Sequence, residues 1–279
     1  MRTGVVLAIL LCLLGGQGFL GPGSTPAPVA TRPHTKLRLV SEVETIQPGK
    51  TLDLGFLFNL EPHWHIYWIN PGDSGEPPSV KWNLPPGFQA GDLEWPAPQR
   101  LVNGPLIDYG YQDQVFMIAP VHVPSRITQQ KVTLSAEVQW LVCSNVCVSA
   151  KASVSVDLPV RRAAPVPDAE VRSLFQTARR ELPQPLPANW RVNAIDEGTI
   201  FRIRLNAGSR IRQASFFPLD FSQVENAKPQ NSVPLATGVE LTVVKSDQLL
   251  KPVLQLRGIL VIDGGRAYRV AAPVERRTS

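Results

Sequence analysis

KVTLSAEVQWLVCSNVCVSAKASVSVDLPV, residues 131–160, is the stretch on which the fold turns. Apolar and polar residues alternate through KVTLSAEVQWLV and again through KASVSVDLPV, the period of a strand with one buried face. Between these runs, Ser144, Asn145 and Val146 separate Cys143 from Cys147. On a straight strand the two Cα atoms would stand about 13 Å apart, beyond the roughly 7 Å that a disulfide tolerates. The chain therefore has to fold back. A three-residue hairpin loop, with Asn145 able to accept a left-handed conformation, would set the cysteines opposite each other. One helical turn would also bring the sulfurs together, but the β-branched valines on both sides favour the hairpin.

Working outward, KLRLVSEVETI (36–46), TLDLGFLFNL (51–60) and QVFMIAPVHV (114–123) show the same alternation, bounded by Pro, Gly or Asn. Many short strands with turn signals between them indicate a β-sandwich rather than βαβ units. The 27 prolines and the low share of charged residues, 18%, also disfavour long helices. Residues 161–189 break the pattern. There Val171, Leu174, Phe175 and Ala178 fall at helical spacing, Asp168 is placed to cap the start, and Pro183, Pro185 and Pro187 end the run. After Trp190 the strand pattern resumes in TIFRIRLN, GVELTVVK, PVLQLRGILVI and RAYRVAAPV, a region without cysteine or histidine. The expected layout is all-β. A signal peptide and flexible leader occupy 1–30, with leader-like composition running on to about 35, and a sandwich domain follows over 36–160. A linker with a short helix spans 161–189, and a second, smaller sandwich-like domain spans 190–275.

The first residues set the expected compartment. Arg2 followed by the apolar run VVLAILLCLL (5–14) reads as a secretory signal, too short for the roughly 20 apolar residues of a membrane span. Later runs such as GILVI stop sooner, at Asp263. The mature protein is expected to be periplasmic or secreted and not membrane-spanning. Lipidation at Cys12 is disfavoured because Leu11 precedes it and Leu13 and Leu14 continue the apolar run. Cys12 leaves with the signal, so Cys143 and Cys147 are left to pair in an oxidising compartment. The net charge of +5 comes from scattered Lys and Arg, a solvated basic surface rather than a nucleic-acid interface.

The pair has a structural and a chemical reading. As a staple, a five-residue loop contributes about 2 kcal/mol in chain entropy, against roughly 4.7 for a 100-residue loop. A short bridge at a loop tip is open to an attacking thiolate, the property of a labile disulfide. A metal reading is the weaker alternative: His63 and His65 in EPHWHIYW, two apart on a strand, share a face and could join the cysteines around zinc or copper. Polar residues on an exposed strand face, beside Trp64 and Trp68, are the plainer account. Ser74 in GDSG lacks the flanking context of a serine protease. No Lys, Arg or His adjoins either cysteine in sequence, so the order of attack is not legible.

WHIYWINPGDSGEPPSVKWNLPPGF (64–88), LEWPAPQRLVNGPLIDYGYQDQV (93–115) and VQWLVCSNVCV (138–148) together resemble the N-terminal periplasmic domain of DsbD-type and ScsB-type thiol:disulfide interchange proteins. The resemblance covers residues 36–160. It implies an immunoglobulin-like sandwich in which Cys143 and Cys147 are the redox pair, exchanging disulfides without a cofactor as a protein-disulfide reductase. It further implies a cap over the pair near Tyr109 and Tyr111, in a loop loosened by Gly104, Pro105 and Gly110. Family proteins usually continue into a multi-helix membrane domain and a thioredoxin domain, whereas this sequence continues into a β-domain. The expected partners are therefore a separate membrane electron donor and periplasmic thioredoxin-like proteins. A copper-handling protein and a binding scaffold with a structural disulfide are the alternatives.

Overall fold

The computed structural model describes residues 28–276; the expected signal segment and Cys12 lie outside the described residues. The hairpin read from the sequence is its longest element pair. Strand Lys131–Cys143 runs antiparallel to Cys147–Pro159, in register from Lys131↔Pro159 to Cys143↔Cys147. Along the first strand Val132, Leu134, Ala136, Val138, Trp140 and Val142 are all buried, which is the period-two inner face. Cys143 falls on the opposite parity and so on the outer face.

That hairpin begins a six-stranded sheet. Its path continues through His65–Gly72, Leu106–Gln112 and Gln99–Asn103, while Ser79–Asn83 pairs beside it on Lys131–Cys143. A five-stranded sheet faces it, in the order Val29–Arg32, Thr35–Ser41, Thr51–Leu60, Gln114–His122 and Gln89–Ala90. Leu37, Leu39, Phe56, Phe58, Met117, Ile66, Trp68 and Trp140 fill the space between the sheets. Each such side chain withdrawn from water contributes about 1.5–3 kcal/mol. This is the immunoglobulin-like sandwich implied by the resemblance. Val29–Arg32, in the stretch expected to be leader, is instead an edge strand paired with Thr35–Ser41. Ala30 is buried there, and the pairing satisfies backbone groups of the neighbouring strand that a free leader would leave bare.

Within 161–189 a helix spans Arg172–Glu181. Val171, Phe175 and Ala178 pack onto Val40, Leu57, Phe116 and Ile118, on the side of the five-stranded sheet away from the sandwich core. The Phe175 and Phe116 rings meet edge to face at 4.9 Å. Arg179 donates to both Glu42 carboxylate oxygens and to Asp53. Asp168 does not cap this helix. Its carboxylate accepts the Glu170 N–H in a local turn, and Val171 holds the cap position without a side-chain bond.

The remaining strands form an eight-stranded sheet. Its path runs Ala214–Pro218, Gln255–Ile262, Arg266–Arg276, Arg191–Asp196, Ile200–Asn206, Gly238–Val244 and Asn231–Leu235, with Gln184–Pro185 alongside. Phe201, Ile203, Leu205, Phe216, Leu241, Leu256 and Leu260 make a second core. Successive residues of one strand serve the two cores: Phe216 faces the second, and Phe217, with Ile259 and Ala267, joins the first. Phe217 packs edge to face on Tyr109 at 5.2 Å and on Trp68 at 6.4 Å. The buried Asn70 Nδ2 donates to Pro218 O at 2.9 Å. Among the described residues, no helix is long and apolar enough to cross a membrane.

Candidate redox site

Cys143 and Cys147 close the hairpin as a disulfide, with Cα atoms 4.1 Å apart. The Ser144 N–H donates to Val146 O at 3.0 Å, which carries the ladder one step past the cysteines and leaves Asn145 alone at the tip. Asn145 keeps a negative φ, so the loop closes without the left-handed residue expected there. The two cysteines differ in exposure. Cys143 is fully buried, and Cys147 is exposed beside an exposed Val146.

Register explains what surrounds them. Cys143 pairs with His65 of strand His65–Gly72, so both side chains leave the sheet on the same, outer side. Tyr67, two residues on, shares that side, while Ile66 and Trp68 turn inward to the core. The Tyr67 hydroxyl reaches Cys147 Sγ at 3.8 Å. A disulfide sulfur carries no hydrogen, so the hydroxyl is the donor. Burial pushes the Tyr67 pKa up and the charge of Asp108 acts the same way, with Ser74 opposing, so the phenol keeps its proton at neutral pH.

The outer face is roofed by the segment after this strand. Gly75 lies on the Tyr67 ring so closely that a Cβ there would stand 2.1 Å from Cζ, and its φ of 81° also suits only glycine. Beneath the roof, Asp108 is fully buried and its Oδ1 accepts the Ser74 N–H at 3.0 Å and the Ser74 hydroxyl at 2.8 Å. His65 Nε2 lies 3.8 Å from Asp108 Oδ2, too far for a hydrogen bond, and has no partner among the described residues. Burial lowers the His65 pKa and Asp108 opposes it, so the imidazole beside Cys143 is neutral. Ser74 is bonded to the carboxylate rather than the imidazole, an arrangement without an activated nucleophile.

The structure does not bring Tyr109 and Tyr111 over the cysteines. Both sit on the inward parity of Leu106–Gln112, opposite to Asp108 and Gly110, and are buried in the core. The Tyr111 hydroxyl donates to Pro96 O and that of Tyr109 to Asn226 Oδ1, at 2.8 and 2.9 Å. Burial raises the pKa of both. The expected cap fails on strand parity: IDYGYQD reads as a glycine-loosened loop, but it pairs as regular strand. Tyr67 is the residue at the sulfur. Its parity with His65 was visible in WHIYW, but its nearness to Cys147 depends on a register between distant strands.

His63 and His65 are not brought together either. The strand begins at His65, and His63 sits exposed in the preceding turn with a φ of 70°. Among the described residues no group of three or more His, Cys, Asp or Glu side chains is placed to hold a metal ion.

Residues 36–159 match the family described as thiol:disulfide interchange protein DsbD, N-terminal. Residues 36–159 are a DsbD N-terminal-type domain. No curated protein sequence matches the chain. Among solved structures, the N-terminal periplasmic domain of ScsB from Proteus mirabilis aligns with a TM-score of 0.65 at 18% identity. That alignment covers 88% of this chain and 96% of the other, so the likeness in fold extends beyond the DsbD N-terminal domain into the second β-region. Domains 5–6 of the S-layer protein SbsC align at a TM-score of 0.23 and 11% identity, over 90% and 99% of the two chains. The periplasmic chaperone SfaE aligns at 0.22 and 10%, over 85% and 100%. The matched segment, residues 36–159, contains the buried Cys143, the exposed Cys147 and Tyr67.

Proposed function

We propose that Cys143 and Cys147 relay electron pairs by thiol–disulfide exchange in the periplasm, and that Cys147 is the sulfur attacked first. The observation that carries this reading is the asymmetry of the pair: an exposed Cys147 at a hairpin tip, with a neutral hydroxyl on its sulfur, joined to a buried Cys143. A donor thiolate attacks Cys147 Sγ, the Cys143–Cys147 bond breaks, and Cys143 leaves as a thiolate that takes a proton. The donor's second thiolate then attacks the mixed disulfide, releasing Cys147 and closing the donor's own disulfide. Two electrons pass to this chain. The reverse sequence hands them to an acceptor disulfide, and no cofactor takes part.

A separate membrane protein supplies the electrons, and periplasmic thioredoxin-like proteins exchange them. The Tyr67 hydroxyl stabilises the Cys147 thiolate at either stage, because a retained proton lets it donate to the developing charge. Redox titration with thiol trapping is the decisive measurement. A midpoint above about −300 mV is expected, and a lower one would put the bond among resistant structural disulfides. In the first specific variant, Cys143→Ser, the protein should stay folded and accumulate a mixed disulfide at Cys147, read by mass spectrometry of trapped partners. Mixed disulfides on Cys143 in the matching Cys147→Ser variant, and none on Cys147, would reverse the assignment.

A further inference from the structure

We infer that Asn226, in the second β-region, is a positioning residue that keeps the Tyr67 hydroxyl on Cys147 by holding the Gly72–Gly75 segment over the Tyr67 ring. The inference rests on Cys143–Cys147 as the redox pair and gives the second region a part in its chemistry. Asn226 Nδ2 donates to Asp73 Oδ1 at 2.9 Å, and its Oδ1 accepts the Tyr109 hydroxyl at 2.9 Å. The Asn226 backbone carbonyl in turn accepts from Arg100. One residue of the second region is thus fixed at three points on the first and grips the segment that roofs the site.

The chain of contacts from Asn226 to sulfur is short. Asp73 leads to Ser74, which Asp108 anchors, and to Gly75, whose backbone lies on the Tyr67 ring. Tyr67 ends at Cys147 Sγ. The second region holds the same segment at its start, where Asn70 Oδ1 accepts the Gly72 N–H while Asn70 Nδ2 donates to Pro218 O. Among the described residues, Asp73 is held from the first region only by the Ile107 backbone, whose N–H donates to Oδ2 and whose carbonyl accepts the Asp73 N–H. Gly72 and Gly75, both at positive φ, give the segment hinges on either side of Asp73 and Ser74. Releasing Asn226 therefore loosens a segment bounded by two glycines, and Tyr67 with it.

The test is Asn226→Asp in the full mature protein, which keeps the size and the Tyr109 acceptor but sets a second carboxylate against Asp73. Loss of a charge-assisted bond of this kind changes a local opening equilibrium by about tenfold. Reduction of the disulfide by dithiothreitol and its reoxidation should both slow, by at most the roughly three- to tenfold that loss of the Tyr67 hydroxyl bond to sulfur brings. Combining Asn226→Asp with Asp73→Asn restores a donor opposite an acceptor and should return both rates to the wild-type values. Wild-type or faster rates in the folded single variant, or slowing that the double exchange fails to reverse, would overturn the inference. Should Asn226→Asp not fold, Asp73→Ala breaks the same contact from the other side, and unchanged rates there overturn it equally. Failure of the relay would show separately, as a wild-type pair that exchanges with no thioredoxin-like partner, and would leave the rate comparison intact.

Discussion

Tyr67 and His65 flank the disulfide, and each makes a distinct prediction. Tyr67→Phe removes only the hydroxyl that donates to Cys147 Sγ, and the ring beneath Gly75 stays. A net hydrogen bond of about 0.5–1.5 kcal/mol to the sulfur corresponds to a roughly three- to tenfold loss of thiolate reactivity. Iodoacetamide should alkylate the reduced variant more slowly by that factor at neutral pH, and an unchanged rate would leave Tyr67 a packing residue. His65 bears on stability instead. Its folded pKa is lowered by burial, so below the unfolded value of about 6.5 the unfolded chain binds a proton that the folded chain refuses. Stability is therefore present above that pH and falls as the pH drops toward the folded pKa, with a slope of at most about 1.4 kcal/mol per unit. Urea unfolding of His65→Gln between about pH 7.5 and 5.5 should show a shallower decline than wild type, and equal slopes would mean that His65 protonates freely in the fold. The cysteines could be found from sequence because their spacing constrains them locally. Tyr67 and Asp108 could not, because each reaches the site through pairing with a strand about 35 to 80 residues away.

At the scale of elements, strand patterns transferred well wherever one face is buried and the other wet, as in Lys131–Cys143. They failed where both faces are covered. Leu106–Gln112 is buried at five consecutive residues, Ile107 to Tyr111, because core lies on one side and the Asp73–Gly75 roof on the other. Such a strand has no alternation to read, and its glycine and tyrosines suggested a loop. The helix Arg172–Glu181 was legible from the spacing of Val171, Leu174, Phe175 and Ala178, but its docking surface was not. Val40, Leu57, Phe116 and Ile118 are the outward-facing residues of strands whose inward neighbours looked sufficient as core. Phe175 is fully buried in that patch, so Phe175→Ala should destabilise the protein by about 3–5 kcal/mol. Guanidinium unfolding would read it. A loss below about 1 kcal/mol would mean that the helix rests on the sheet without contributing to its stability.

For the whole molecule, the question is how independent the two β-regions are. We propose the division 36–160 and 190–275 as two cores joined by 161–189, and the contacts between them set what cutting that connection does. Phe217 reaches into the first core, packing on Trp68 and Tyr109, and Asn70, Arg100 and Tyr109 bond to Pro218 and Asn226. The helix is held on the first region by Phe175 and by the Arg179 contacts to Glu42 and Asp53. A cut before the helix therefore severs the chain but not the packing. Arg161 and Arg162 are exposed and precede an exposed stretch to Ala164, which makes them the expected tryptic sites. Limited trypsin treatment should yield two fragments on a denaturing gel that still elute together under native conditions. The nicked protein should keep the same rate of disulfide reduction, because the Asn226 contact to Asp73 depends on packing rather than on chain continuity. Introducing Phe217→Ala should loosen the pair, because it empties a fully packed aromatic site at the junction and costs about 3–5 kcal/mol of the contact. The nicked variant should then separate on the column, and its first region should reduce as slowly as Asn226→Asp. Coelution of the nicked Phe217→Ala fragments at native stability would show that the docked helix and the polar contacts suffice to hold the regions together, and fragments that separate even in the wild type would show that the junction is too weak to position the roof over Tyr67.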